Sequence, residues 1–182
     1  MAEPTPTPAP ASPEAPESTP DDGFVITCQC GQVRLRTPSS TPIGICHCHC
    51  TECRRQSASA FGTSVYFPPA EGFYPLDPTL TAPGGTIGTI SRPTDSGNTM
   101  YCYFCRGCGV RLLHAVILPD GSIRPRVSVK GGAIEDPEGK LDWAGAKHIF
   151  VRSAVIPLSP TWETYDTTLA NGPRFVPAKE AK

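Results

Sequence analysis

At 182 residues with 38% apolar content, the chain is long enough for one domain around a single core and too short to require a second. Its 16 basic and 17 acidic residues leave a formal charge of −1, so the overall balance offers no electrostatic footprint for nucleic acid or an acidic membrane. The chain does not open on a basic segment followed by an apolar one, and no run nears the ~18 apolar residues of a membrane span. The expectation is a cytoplasmic protein with no nucleic-acid or membrane partner, in a reducing compartment. There, nine cysteines read as metal ligands and a few buried thiols rather than as disulfides.

Residues 1–22, "MAEPTPTPAPASPEAPESTPDD", alternate proline with Ala, Thr, Ser and Glu and offer almost nothing to bury; they read as a disordered tail. From Phe24 the pattern becomes short β-branched and aromatic runs broken by Gly, Pro, Asn and Asp. These are "FVITC", "QVRLR", "SAFGTSVYF", "TIGTIS", "NTMYCYFC", "VRLLHAVIL", "IRPRVSVK" and "HIFVRSAVI". That is an all-β signature over residues 23–165, with residues 166–182 as a C-terminal tail. No window keeps a 3.6-residue apolar period long enough for a globular helix; a turn or two could follow Cys50 or fall between Pro137 and Gly145.

The first cysteine pair, Cys28 and Cys30 in "CQCGQV", stands at i, i+2, which on an extended strand faces one side. Cys105 and Cys108 in "FCRGCGVRL" form C-x-x-C with Gly107 and Gly109 beside the second cysteine, where a tight knuckle needs φ > 0. Each pair supplies half of a tetrahedral four-cysteine zinc site that would join distant parts of the chain; small buried thiols are the alternative. Between them, "ICHCHCTECRRQS" places Cys48, Cys50 and Cys53 at C-x-C-x-x-C spacing, able to converge on one ion where a strand turns into a helical loop. Cys46 as a fourth ligand would lie about 13 Å from Cys50 along a continuous strand, so it reads as a packing residue. Three ligands and an open position are the arrangement of catalytic zinc sites. His47 and His49 alternate with the cysteines and should face the other side, with zinc ligation by either as the lesser reading. Cys102, in the continuous strand "MYCYF", reads as a buried thiol.

At these residues the sequence resembles the glutathione-dependent formaldehyde-activating enzyme family, which also contains centromere protein V and many fungal members. The resemblance runs from about Phe24 to Val155. It rests on "CQCGQV", "CHCTECRRQSASAF", "SGN" ahead of "FCRGCG", "VKGGAIEDP" and "HIFV", in that order. It implies a β-tent fold and two zinc ions: a structural one on Cys28, Cys30, Cys105 and Cys108, and a catalytic one on Cys48, Cys50 and Cys53. It also implies a small-molecule thiol partner such as glutathione, and chemistry that makes or breaks a carbon–sulfur bond in its carbonyl adducts. Cys46, the stretch "GTISRPTDSGNTMYCYFC" and the proline tail depart from the family core.

A zinc held by three thiolates carries a formal −1 and suits a soft ligand, such as a thiol whose pKa it lowers. Arg54 and Arg55 follow the ligands directly and are candidates for a substrate carboxylate, with solvated arginines as the alternative. Glu52 is the nearest ionisable candidate for proton transfer, or the solvated start of a turn. Phe61 reads as core before pocket wall, and Lys130, Arg111 and His114 as structural or surface residues before functional ones. The leading expectation is a zinc-dependent carbon–sulfur lyase acting on glutathione or another thiol adduct. The others are a pathway-specific lyase of fungal secondary metabolism and a non-enzymatic interaction or chromatin protein; nothing in the pattern fixes an oligomeric state.

Overall fold

The computed structural model describes residues 23–169; the proline-rich segment 1–22 and residues 170–182 lie outside it. The all-β expectation holds. Ten strands carry the described chain: β1 Val25–Thr27, β2 Arg34–Arg36, β3 Gly44–Cys48, β4 Gly62–Phe67, β5 Ile87–Pro93, β6 Thr99–Cys105, β7 Arg111–Ile117, β8 Val127–Lys130, β9 Ile134–Glu135 and β10 Lys147–Ile149. Two short helices interrupt them, α1 Thr51–Ser57 and α2 Pro78–Thr81. The first follows Cys50, where a turn was expected; the second starts at a proline capped by Asp77, whose carboxylate accepts from the Thr79 N–H at 2.8 Å.

Two sheets form, a three-stranded one in the order β2-β1-β9 and a seven-stranded one in the order β10-β3-β4-β8-β7-β6-β5. All pairings are antiparallel except β10 with β3, which runs parallel. Of "HIFVRSAVI" only His148 and Ile149 fall in β10, because Phe150 takes a left-handed φ of 54° that ends the extended run. A 3-10 turn, Val151–Ser153, follows, and the Phe150 N–H donates to the Thr167 carbonyl at 2.9 Å.

The register of the large sheet decides which residues share a face. Ile45, Val65, Val129 and Leu113 lie opposite one another across β3, β4, β8 and β7, and all four are buried in the main core with Phe67, Ile87 and Val127. The intervening row, Cys46, Ser64 and Lys130, therefore occupies the other face of the same strands. There Cys46, Cys48 and Ile149 form a smaller cluster with Cys50, Cys53, Tyr66 and Phe150 packed against it. Around these rows one face of the sheet is mainly hydrocarbon, with His47 and Thr63 toward its end, and the other carries sulfur, hydroxyl and ammonium groups.

Candidate functional site

The three-cysteine motif is assembled by a strand end and a helix start. β3 ends at Cys48, Cys50 follows two residues on as the helix cap, and α1 returns Cys53 one turn later. Cys50 is the N-cap of α1, its sulfur accepting from the Cys53 N–H at 3.3 Å. The ligand atoms of Cys48, Cys50 and Cys53 lie within 4.8 Å of one another. Contacts with the Cys48 and Cys53 thiols, aided by the N–H groups of Cys53 and Glu52, hold Cys50 far below the ordinary thiol range. The same sharing with Cys50 and Cys53 pushes Cys48 far above it. Three sulfurs this close cannot all ionise unaided, so a soft cation among them is what would let the set carry three thiolates. Gly62, opposite Cys48 on β4, makes room for the loop: a Cβ there would stand 3.1 Å from the Cys53 Cβ and 3.2 Å from its carbonyl oxygen.

The second set, Cys28, Cys30, Cys105 and Cys108, also gathers its ligand atoms within 4.8 Å. Sulfur separations are 3.5 Å for Cys28 to Cys30 and 3.6 Å for Cys30 to Cys105. Thiolates about 2.3 Å from a tetrahedral zinc are about 3.8 Å apart, so the spacing suits such an ion. Cys28 and Cys30 do not share a strand face as the i, i+2 spacing suggested. β1 ends at Thr27, and the pair sits in a turn closed by the Gly31 N–H on the Cys28 carbonyl at 3.0 Å, with Gly31 at φ +74°. A turn brings the sulfurs together where a strand would hold their Cα atoms about 6.6 Å apart. Of the knuckle glycines, Gly109 has the expected positive φ of 75°, whereas Gly107 does not; a Cβ there would crowd only the flexible Gln32 side-chain amide. The Val110 N–H, followed by the Cys30 backbone and the Cys30 and Cys105 thiols, brings the Cys108 thiol down to about 6.

Both sets are thus compatible with zinc, and all nine cysteines are free of disulfides. Cys46 and Cys102 are buried and belong to neither set. His47 and His49 turn away from the sulfurs. His47 Nδ1 bonds the Thr63 hydroxyl at 2.9 Å, His49 Nε2 bonds His148 Nδ1 at 3.0 Å, and His148 stacks on Trp162 at 4.1 Å. Phe61 packs on His47 and His49 at 5.0 and 5.4 Å between centroids, and it also lines a cleft beside the three-cysteine loop.

Of the polar candidates around the loop, Glu52 and Arg55 are exposed and pair with each other at 3.2 Å. Arg54 is half-buried with its Nε unpartnered, and it lines a shallow groove with Thr51, Arg55 and Val155. Sequence reasoning set Lys130 aside as structural, yet the structure buries it beside the three-cysteine set. Its Nζ donates to the Ser64 Oγ at 3.1 Å; burial lowers its pKa, and charge on Cys53 and Cys48 opposes that shift. Strand alternation carried the signal, but reading it required the register of β3, β4 and β8 together.

The sequence matches the family model described as "Glutathione-dependent formaldehyde-activating enzyme" over residues 24–153. The chain belongs to this family. The matched span contains both cysteine sets and Lys130. No curated protein matches the chain. Membership in the glutathione-dependent formaldehyde-activating enzyme family associates the fold with glutathione-linked carbon–sulfur chemistry. Among the described residues no helix is long and apolar enough to cross a membrane.

Proposed function

We propose that this protein is a zinc-dependent carbon–sulfur lyase acting on glutathione, or another small thiol, and its carbonyl adduct. The observation that carries the reading is a three-sulfur set, Cys48, Cys50 and Cys53, with no fourth ligand among the described residues, in a chain of the glutathione-dependent formaldehyde-activating enzyme family. In this reading one zinc ion is structural, on Cys28, Cys30, Cys105 and Cys108, and a second is catalytic, on Cys48, Cys50 and Cys53. Bound at the three-cysteine set, zinc would supply Lewis acidity and a soft open position for sulfur.

The chain's own groups do the rest. β3 and α1 fix the three sulfurs on one side, Gly62 lets the loop lie against β4, and Lys130 sets a positive charge against Cys53 and Cys48. Three thiolates and a divalent ion sum to −1, so the buried ammonium offsets the charge of the occupied set and lowers the cost of burying both. In the forward reaction the thiol sulfur adds to the aldehyde carbon, one S–C bond forms, the carbonyl π pair becomes an alkoxide, and the proton lost by the thiol ends on that oxygen. The reverse cleaves the S–C bond and returns the proton to sulfur. Glu52 is the nearest carboxylate in sequence and the candidate proton carrier; its exposure leaves solvent as a parallel route.

Exchange spectroscopy on glutathione with formaldehyde, run beside Cys50→Ser, tests the reading. Acceleration that depends on loaded metal and is lost in the variant is the expected result. Thiol binding without acceleration would move the substrate to a bulkier thioether adduct, and a loaded protein that binds no thiol would leave the non-enzymatic reading.

A further inference from the structure

Between the end of α1, the start of β4 and the Cys105–Cys108 knuckle runs a cleft of about 500 Å³, within the range of small-molecule sites. Gly62, which abuts Cys53, lines it together with Cys108, Lys130 and Arg111. The cleft thus reaches Cys108 of the four-cysteine set and Gly62, which adjoins Cys53; Cys48, Cys50 and Cys53 are not themselves in its lining. Its lining carries two cations and no acidic side chain.

Neither cation has a carboxylate partner among the described residues. Lys130 donates only to the neutral Ser64 hydroxyl, and Arg111 lies 5.9 Å from the Phe104 ring centroid. His114, on the same strand as Arg111, is buried with its Nε2 unpartnered; burial, then the charges of Lys130, Arg111 and Arg92, hold it well below its ordinary pKa. No acidic side chain lines the cleft beside Lys130 and Arg111. Occupied three-cysteine and four-cysteine sets would contribute −1 and −2 against +2 from Lys130 and Arg111, so the attraction for a carboxylate is local to these two side chains. The two arginines next to the loop in sequence serve this less well: Arg55 is paired with Glu52, and Arg54 opens onto the separate groove beside Val155.

We propose that this cleft is the carboxylate subsite of the thiol substrate, with Arg111 and Lys130 binding a carboxylate while the substrate sulfur is directed to the three-cysteine set. The assignment rests on the thiol reading given above and specifies its substrate as a thiol that bears a carboxylate. Arg111 supplies the bidentate contact a carboxylate prefers; Lys130, fixed by Ser64, supplies a point charge closer to the sulfurs.

The test is calorimetric titration of metal-loaded, full-length protein with glutathione, its dimethyl ester, and S-methylglutathione, which keeps both carboxylates but offers no thiol. Glutathione should bind at least about tenfold more tightly than the ester. Arg111→Gln should remove that preference while leaving the ester's affinity unchanged, and Arg111→Lys should restore part of it. Equal binding of glutathione and ester by the unaltered protein, or a preference that survives Arg111→Gln, overturns the subsite while leaving the thiol reading intact. If neither thiol binds, the thiol reading has failed, and S-methylglutathione decides the subsite: Arg111-dependent binding upholds it, and no binding overturns it.

Discussion

Cys50 holds two positions at once, as the N-cap of α1 and as one of the three sulfurs of the open set. Cys50→Ser keeps an N-cap oxygen in place of sulfur, so stability should fall by only about 1 kcal/mol. Activity should fall by about 100-fold or more, since even groups that merely orient a metal ligand are worth ~10–100-fold. Denaturant titration and exchange rates on one preparation check both. Cys105→Ser is expected to behave oppositely, unfolding or precipitating the protein, because its sulfur belongs to a closed set that links the β1–β2 turn to the β6–β7 turn. Glu52→Gln should cost no more than about tenfold in turnover, below the ~100-fold or greater contribution of a committed general acid–base, because the carboxylate is exposed and bonded to Arg55. At this scale the seven sulfurs were legible from spacing, which is a local property. Lys130 was not, because its relation to Cys53 passes through three strands whose pairing no local pattern states.

Among elements, the junction of β3, α1 and β4 decides the geometry of the open set. Alternation along β3 separates Cys46 and Cys48 from His47, and it was readable because a strand has a period of two. The turn at Cys28–Gly31 was misread because i, i+2 cysteines suit a strand as well as a turn; Gly31 at positive φ resolves the choice. Gly62→Ala places a methyl 3.1 Å from the Cys53 Cβ and should weaken metal binding at the open set by about tenfold, whereas Gly44→Ala on neighbouring β3 meets nothing within 4 Å and should leave it unchanged. Cobalt titration, followed by thiolate-to-metal charge-transfer absorption, distinguishes the two. The histidines form a second junction. Burial, with the charges of His47 and His49, lowers His148 to about 4 from an ordinary 6.5. The unfolded chain therefore binds more protons between these values, so this residue's contribution is fully present above about pH 6.5 and is lost as pH falls toward about 4. His148→Gln should flatten that part of the stability profile in denaturant titrations at stepped pH; an unchanged slope would place the titration elsewhere.

For the whole molecule, the proposed division of the two cysteine sets between structure and chemistry rests on how differently they stand in the chain. The four-cysteine set draws on residues 28–30 and 105–108, joining the turn after β1 of the small sheet to the knuckle that ends β6 of the large one. Losing its ion would release a link closed over a long stretch of chain, and its binding free energy is part of the folding free energy. The three-cysteine set lies within residues 48–53, where β3 is already held by β4 and β10 and α1 by its own cap. An ion there is bound locally, and its loss need not propagate. Mild chelation of fully loaded protein should therefore remove one zinc equivalent early, with activity lost, far-ultraviolet dichroism intact and the melting temperature lowered by only a few degrees. The second equivalent should leave more slowly and with unfolding. Metal analysis of fractions withdrawn during chelation, paired with dichroism, follows both events; a single equivalent, or two that depart together with the fold, would show that the sets are not divided between chemistry and structure.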